Sequence, residues 1–380
     1  AAFVGRNESG KSTALRTLVM AHSLTHPPAE VTFYVLDFGG GTFTPFEAAP
    51  HVASVATRDR ADVVNRTIAE IEGIVADREQ YFRAQRIDSM ATYRHGRAEG
   101  RFDDGYGDVF LVIDGWGTVR SDFDDLEQRI MVLAGRALTF GVHLLVTASR
   151  WLELRQPIKD VLGSRLELRL GDPTDSDIDR KLAQLVPQKR PGRGLEVGGH
   201  HVLVALPRAD GVPQPETMAT GVATTLARIA QAWPGDPGPK LRLLPTLITL
   251  DDLRASFPET TGLLLGIEES RLGPLAFDPQ RENHLFVLGD AKSGKSTFLR
   301  TVAHEVMHRQ AAAEAQLFVV DLRRALLGEV PDEYLAGYLT TREQAASELA
   351  GLADYLRQRL PPDNVTPEQL RARSWWHGAE

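Results

Sequence analysis

The octapeptide GRNESGKS occupies residues 5–12, and a related octapeptide, GDAKSGKS, occupies residues 289–296. Both fit the pattern G-x-x-x-x-G-K-[ST], in which a glycine-rich loop presents backbone N–H groups to phosphate at the start of a helix. Each follows a short apolar run and precedes a helix-forming stretch. One match could be a glycine-rich turn that binds no nucleotide, but two matches in a repeat predict two phosphate-binding P-loops.

The predicted cofactors of these loops are ATP and Mg²⁺. We expect Lys11 and Lys295 to reach the β- and γ-phosphates, and the hydroxyl groups of Ser12 and Ser296 to bind Mg²⁺. An acid such as Glu8 would repel phosphate if it turned inward, so we expect it to face outward. The predicted nucleotide-binding residues are Gly5, Arg6, Asn7, Glu8, Ser9, Gly10, Lys11, Ser12, Thr13, Gly289, Asp290, Ala291, Lys292, Ser293, Gly294, Lys295, Ser296 and Thr297.

The two P-loops belong to a longer repeat. Lys11 and Lys295 are 284 residues apart, and the same offset relates Asp37 to Asp321. We therefore predict two tandem copies of one fold, with domains at residues 1–235 and 236–380 and a linker beginning in the sequence PGDPGP. At this offset the counterpart of Asp114 falls beyond residue 380, so we expect the second copy to be truncated before its magnesium-binding strand.

Apolar, strand-sized runs alternate with helical patterns along the first copy. Predicted strands lie at residues 2–4, 32–37, 109–114, 142–148 and 165–170, with helices at 11–23 and 61–85. In the second copy a strand is predicted at 285–288, before the P-loop. This alternation predicts an α/β fold: tandem P-loop NTPase domains with mainly parallel, doubly wound sheets.

A second requirement of a nucleotide site is an acid at the end of a neighbouring buried strand. The run DVFLVID ends at Asp114, which we expect to hold Mg²⁺ through water, although a solvated strand-end carboxylate is the alternative. The next residue is Gly115 and offers no second acid to orient the attacking water, so hydrolysis is expected to be slow. Asp37 and Asp321 also end apolar strands, and for them we favour a structural or loop-capping role.

Further polar residues are candidates for contacts with the γ-phosphate. Ser149, with Thr147, follows the strand after Asp114, where it would either sense the phosphate or serve as a simple strand-end hydroxyl. Arg150, Arg190 and Arg193 would either stabilise phosphate charge across a subunit interface or remain solvated. The sequence alone leaves these alternatives open.

Composition limits the classes of partner. The net charge is −8, there are no cysteines, and the apolar runs, such as residues 109–113, are far shorter than the ~20 residues of a membrane helix. The basic cluster at residues 94–101 is interrupted and followed by acids, so we interpret it as a solvated loop and expect no nucleic-acid partner. The chain starts within a predicted strand and without Met, so we expect it to be part of a longer protein.

Several motifs in combination resemble one group of ATPases. They are YVLDFGGGTF (34–43), YGDVFLVIDGW (106–116), FGVHLLVTASRW (140–151), RLELRLGDPTDSDIDR (165–180), RPGRGL (190–195) and RSWW (373–376). Together with the tandem P-loops, they resemble FtsK/SpoIIIE-type ATPases, and within these the EccC/EssC ATPase of type VII (ESX) secretion systems. The chain is similar to the second ATPase domain of that group and to the first part of the third.

This resemblance implies a RecA/FtsK-like motor or regulatory module on the cytoplasmic face, tethered to the membrane through the parent protein or partner subunits. Its implied partners are WXG100-type secretion substrates, the other ATPase domains of the motor, and further copies in a ring-like homo-oligomer. The first ATPase domain of the series, which this chain lacks, is expected to be the principal hydrolase.

Two other functions remain open from the sequence: a double-stranded DNA translocase of the same fold, and a scaffold that binds no nucleotide. For substrate binding, the aliphatic residues Leu326, Leu327 and Val330 are candidates for an apolar pocket, and packing inside the second copy is the alternative. Trp375 and Trp376 would either pack in a core or interface or line a partner pocket.

Overall fold

The computed structural model describes residues 1–123, 125–235, 237–279, 281–282 and 284–372. The chain forms two compact units, of which the first is Ala1–Leu243 and the second begins at Leu244. The elements of unit 1 are β1 (Ala2–Val4), α1 (Lys11–Thr25), β2 (Val31–Asp37), β3 (Val52–Thr57), α2 (Ala61–Gln85), α3 (Met90–Ala98), β4 (Asp108–Asp114), α4 (Trp116–Asp122), α5 (Leu126–Ala137), β5 (Val142–Ala148), α6 (Gln156–Val161), β6 (Arg165–Leu168), α7 (Arg180–Leu185), β7 (Arg193–Glu196), β8 (His201–Leu203) and α8 (Met218–Ala232).

Unit 1 is built on one sheet with the strand order β3-β2-β4-β5-β1-β6-β7-β8. The strands from β3 to β6 are parallel, whereas β7 and β8 add an antiparallel hairpin at one edge. The predicted mainly parallel α/β sheet is thus confirmed. One detail differs from the prediction: β5 lies between β1 and β4, so the strand that ends at Asp114 is not a direct neighbour of the P-loop strand.

Helices cover both faces of this sheet, which makes it doubly wound. In β2 every residue is buried: Tyr34 and Leu36 pack into the core shared with α2, α4 and α5, and Phe33 and Val35 pack into the core shared with α1 and α8. Alternate side chains of a strand point to opposite faces, so a continuous apolar run is what a sheet buried on both sides requires. Within the described residues, no helix combines the length and hydropathy needed to cross a membrane.

The segment after α8 belongs to unit 1. Gly238 N–H donates to Pro50 O at 2.9 Å, Leu241 N–H donates to Ala53 O at 3.1 Å, and Lys240 Nζ donates to Val52 O at 2.6 Å. These bonds attach the segment to the edge strand β3. The first unit therefore extends past the predicted boundary at 235/236, because the linker satisfies backbone groups that an edge strand leaves unpaired.

Unit 2 contains α9 (Leu250–Ser256), β9 (Leu263–Ile267), β10 (Pro274–Phe277), α10 (Lys295–Arg309), β11 (Leu317–Val320), β12 (Leu335–Leu339), α11 (Arg342–Gln358) and α12 (Pro367–Ala372). β9 pairs with β10 antiparallel, and β11 pairs with β12 parallel. The strand predicted at 285–288 is not formed, and the Phe286 side chain there is 84% exposed. In unit 1 the equivalent strand, β1, pairs with β5 on one side and with β6 on the other.

Candidate nucleotide-binding site

The two P-loops have the same backbone shape. Glu8 and Lys292, at matching positions, have φ of 61° and 64°, and Gly10 and Gly294 have φ of 101° and 91°. Left-handed residues next to a helix start turn successive N–H groups toward a common point and so form a cradle for an anion. Glu8 is exposed, as predicted from the repulsion between an acid and phosphate. We call the loop at residues 5–12 site 1 and the loop at 289–296 site 2.

Each P-loop lysine folds back onto its own loop. Lys11 Nζ donates to Gly5 O at 2.6 Å and to Arg6 O at 2.9 Å, while Lys295 Nζ donates to Gly289 O at 2.7 Å. Burial lowers the pKa of Lys11, and the carboxylates of Asp114 and Glu153 oppose that effect. The ammonium group of site 1 is therefore bound by carbonyl oxygens of its own loop and is influenced by the charge of two carboxylates.

Asp114 lies at the carboxyl end of β4 and is 1% exposed. Thr147 Oγ1 donates to Asp114 Oδ1 at 2.6 Å and accepts the Gly115 N–H at 2.7 Å, so β5 fixes the orientation of the carboxylate. The other oxygen, Oδ2, has no hydrogen-bond partner among the described residues. A buried carboxylate oxygen left without a donor suits water-mediated binding of Mg²⁺, so site 1 fits the predicted ion.

Asp37 and Asp321 cap the loops that follow their strands. Asp37 accepts the N–H groups of Gly39 and Phe43, and Asp321 accepts the Leu326 N–H at 2.6 Å. These bonds agree with the loop-capping role favoured for both residues. In unit 1 the capped loop also approaches the magnesium acid, because a Cβ added at Gly39 would overlap Asp114 Oδ2.

A loop outside the P-loop motif packs directly on the P-loop. Gly192 N–H donates to Ser9 O at 2.8 Å, and Arg6 Nη2 donates to Gln188 O at 2.7 Å. Arg190, considered above as a residue acting across an interface, thus lies on a loop attached to site 1 of the same chain, and Arg193 begins β7 directly after that loop. The glycines of RPGRG were the available sequence indication, since a left-handed Gly192 permits this close approach.

A cavity of about 480 Å³ opens beside site 1. It is lined by Arg6, Asn7, Glu8, Ser149, Arg150 and Gly171. The structure therefore brings Ser149 and Arg150 next to the P-loop. The two roles considered for Ser149, sensing the phosphate and serving as a simple strand-end hydroxyl, both stay predictions. Glu153 was missed from the sequence: its carboxylate accepts the Ser149 N–H at 3.0 Å.

The residues predicted to line a substrate pocket are not equally accessible. Leu327 is 66% exposed, Leu326 is half-buried, and Val330 is only 9% exposed. Val330 thus packs within unit 2, which corrects its assignment as an open lining residue. Trp375 and Trp376 lie outside the described residues.

The basic cluster at residues 94–101 is only partly the solvated loop that we predicted. Arg94, His95 and Arg97 lie on helix α3, because Ser89 caps the helix by accepting the Thr92 N–H. The bases are paired with acids: Arg94 with Asp108, His95 and Arg101 with Glu99, and Arg97 with Asp103. Paired side chains of this kind do not form a free basic surface for a phosphate backbone.

A P-loop after a central strand, a buried acid at the end of a second strand and a mainly parallel sheet define a P-loop NTPase. More closely, the chain belongs to the FtsK/SpoIIIE family, whose profile matches residues 2–210.

Within this family the chain is similar to EccC proteins of ESX (type VII) secretion systems. It is 45% identical over 377 residues to "ESX secretion system protein EccC" of Thermomonospora curvata and 44% identical over 382 residues to "ESX-4 secretion system protein EccC4" of Mycobacterium tuberculosis. These alignments cover 99% and 100% of this chain but 29% and 30% of the relatives, so the chain spans less than a third of their length.

A solved structure, "Thermomonospora curvata EccC (ATPases 2 and 3) in complex with a signal sequence peptide", matches with a TM-score of 0.87 and 45% identity. The match covers 100% of this chain and 68% of that one. The expected EccC-type resemblance is thereby confirmed.

Proposed function

We propose that this chain binds Mg-ATP at two P-loops and acts as a regulatory ATPase module of a type VII secretion motor. The observation that supports this most directly is the repeated cradle. The two loops have left-handed residues at matching positions, and in each loop the lysine side chain folds back onto the loop. Lys11 and Lys295 would leave their carbonyl partners and bind the β- and γ-phosphates. Ser12 and Asp114 would hold Mg²⁺, the ion that neutralises the charge on the transferred phosphate.

Titration of the full chain with a fluorescent ATP analogue tests this proposal. We expect Lys11→Ala to remove binding at site 1, Lys295→Ala to remove binding at site 2, and the double variant to remove both. Lys181→Ala, which changes an exposed lysine on α7, is the control and should bind like the parent. Unchanged affinity in the double variant would contradict nucleotide binding at these loops.

Hydrolysis at site 1 is proposed to be slow, because Gly115 follows Asp114 where a second acid usually orients water. In the Lys295→Ala background, single-turnover phosphate release should be slower than roughly 1 s⁻¹, the lower end of ordinary enzyme rates. A faster rate in that background would show that the site is an efficient hydrolase.

The proposed substrates are WXG100-type secretion proteins, recognised through a C-terminal signal. The peptide complex of the Thermomonospora curvata protein supports this, since that structure matches this chain over its whole length at 45% identity. We further propose that the module works on the cytoplasmic face with the other ATPase domains of the motor, tethered to the membrane through its parent or partner subunits, in a ring-like homo-oligomer. A DNA gel shift at increasing salt tests the translocase alternative, because contacts to DNA phosphates are lost steeply with salt.

A further inference from the structure

Site 1 has an arginine beside it in addition to its P-loop lysine. Arg150 lies two residues after the end of β5, and β5 is a strand that pairs with β1. The first residue of the P-loop continues this pairing, because Gly5 N–H donates to Ala148 O at 3.1 Å. The sheet thus places the backbone of Arg150 beside the start of the P-loop. The cavity of about 480 Å³ at site 1 is lined by Arg150 together with residues 6–8 of the P-loop.

The residues on either side of Arg150 are held in place. Glu153 Oε2 accepts the Ser149 N–H at 3.0 Å, and Trp151 Nε1 donates to the buried carboxylate of Glu167 at 2.8 Å. The Arg150 side chain, by contrast, is exposed and makes no hydrogen bond or ion pair with any residue that the structure describes. An unengaged guanidinium on a fixed backbone is available to an anion that enters the cavity.

The two P-loops differ in the charge of one matched residue. Glu8 at site 1 corresponds to Lys292 at site 2, and both are left-handed, with φ of 61° and 64°. An acid at this position repels phosphate, whereas a lysine attracts it. Glu8 and Arg150 line the same cavity, so the guanidinium offsets the charge of the acid there. The other arginine of the cavity, Arg6, is already engaged, since its Nη2 donates to Gln188 O at 2.7 Å.

We propose that Arg150 binds the γ-phosphate of the nucleotide held by the P-loop of its own chain, and thereby makes site 1 prefer ATP to ADP. The cradle at the start of α1 binds the β-phosphate through its N–H groups, so the outer γ-phosphate is the group left for a cation of the adjoining cavity. A guanidinium can donate two parallel N–H groups to phosphate oxygens. This inference rests on the proposed binding of Mg-ATP at site 1.

Competition of unlabelled ATP and ADP with the fluorescent ATP analogue tests this role. The experiment uses the full chain with Lys295→Ala, so that only site 1 is measured. Arg150→Ala should weaken ATP binding at least about tenfold, as expected for the loss of a charge-assisted hydrogen bond, and should leave ADP binding within about twofold. Arg150→Lys should be intermediate, because lysine keeps the charge but not the planar fork. Arg228→Ala, which removes an exposed arginine on α8, is the matched control and should not change the affinity for either nucleotide.

A second substitution tests the argument from charge. Adding Glu8→Lys to Arg150→Ala gives site 1 the cation that site 2 has at the matching position. The double variant should therefore bind ATP more tightly than Arg150→Ala does. If it does not, the proposed compensation between Glu8 and Arg150 is contradicted.

Mixing two variants distinguishes a contact within one chain from a contact between chains. The Lys11→Ala/Lys295→Ala chain is expected to bind no nucleotide but retains Arg150, so adding it to the Arg150→Ala/Lys295→Ala chain should not restore ATP affinity. Three results would overturn the proposal: restored affinity in the mixture, an unchanged preference for ATP in Arg150→Ala, or equal losses of ATP and ADP affinity. Failure of Lys11→Ala to weaken nucleotide binding would instead contradict the proposed function, so the two failures are distinguishable.

Discussion

At the scale of single residues, the orientation of Asp114 depends on two neighbours of different kinds. Thr147 pins one carboxylate oxygen by a hydrogen bond of 2.6 Å, and Gly39 leaves room for the other. Because the carboxylate is buried and already held on one side, it has little freedom to move away from an added side chain. The proposed magnesium site therefore requires a residue without a side chain at position 39.

Gly39→Ala should accordingly weaken Mg-ATP binding at site 1. We expect a loss on the order of tenfold, comparable to other changes that disturb the surroundings of a metal ligand, and it should appear as a higher Mg²⁺ requirement in nucleotide titrations. Gly171→Ala is the matched control, because Gly171 lines the cavity at site 1 and a Cβ there would meet nothing within 4 Å. Equal affinities of the two variants would show that Gly39 does not position Asp114.

At the scale of elements, the β7–β8 hairpin supports site 1 from the side opposite β5. Its first strand follows the loop that contains Gly192, and Gly192 O accepts the Val204 N–H at 2.9 Å. The P-loop is thus bonded to the residue before the hairpin, and the segment directly after the hairpin contacts α1, since Thr17 Oγ1 donates to Ala205 O. A shift of this loop would be transmitted to the phosphate cradle.

Gly192→Ala tests this support. Gly192 has φ of 83°, a conformation that costs a side-chain-bearing residue roughly 1–2 kcal/mol, so the loop should shift away from Ser9 and nucleotide affinity at site 1 should fall several-fold. Gly199→Ala introduces similar strain, at φ of 81°, in the far turn of the same hairpin. If both variants kept parent affinity in the fluorescence titration, the loop would have no role in nucleotide binding.

Elements were predicted from the sequence where local pattern was sufficient. The helix at 61–85 has the predicted bounds, and two strands end as predicted at Asp37 and Asp114. The apolar runs of these two strands are long and largely buried. The insertion of β5 between β1 and β4 could not be read from periodicity, since strand order depends on contacts between distant residues. The bond between the Glu153 carboxylate and the Ser149 N–H was missed because it forms only in the turn after β5.

At the scale of the whole molecule, the two copies of the repeat are preserved to different degrees. Site 1 has its acid, its supporting loop and a sheet that contains β1 at its centre. Site 2 repeats the cradle, but the residues at 285–288 form no strand. We therefore expect site 2 to bind nucleotide more weakly than site 1 in this chain, because a cradle without its supporting strand is less firmly held before the nucleotide binds.

The proposed substrate surface is tested on unit 2. Leu327 is 66% exposed next to the loop capped by Asp321, so an apolar face of a peptide helix has access to it, and a buried aliphatic anchor commonly contributes much of the affinity at such contacts. We expect Leu327→Asp to reduce binding of a labelled C-terminal peptide from a WXG100-type protein at least roughly tenfold, or about 1.4 kcal/mol, measured by fluorescence polarisation. Leu326→Asp should have the same direction of effect, although this side chain is half-buried and its fold must be checked by circular dichroism.

The control for this experiment is Leu360→Asp, because Leu360 belongs to the same unit and is also 66% exposed but lies after α11, in another part of the sequence. It should bind the peptide like the parent, which would show that the loss at Leu327 does not come from an added charge alone. If folded Leu327→Asp and Leu326→Asp both bind the peptide with parent affinity, the proposed contact between the aliphatic segment after Asp321 and the peptide is contradicted.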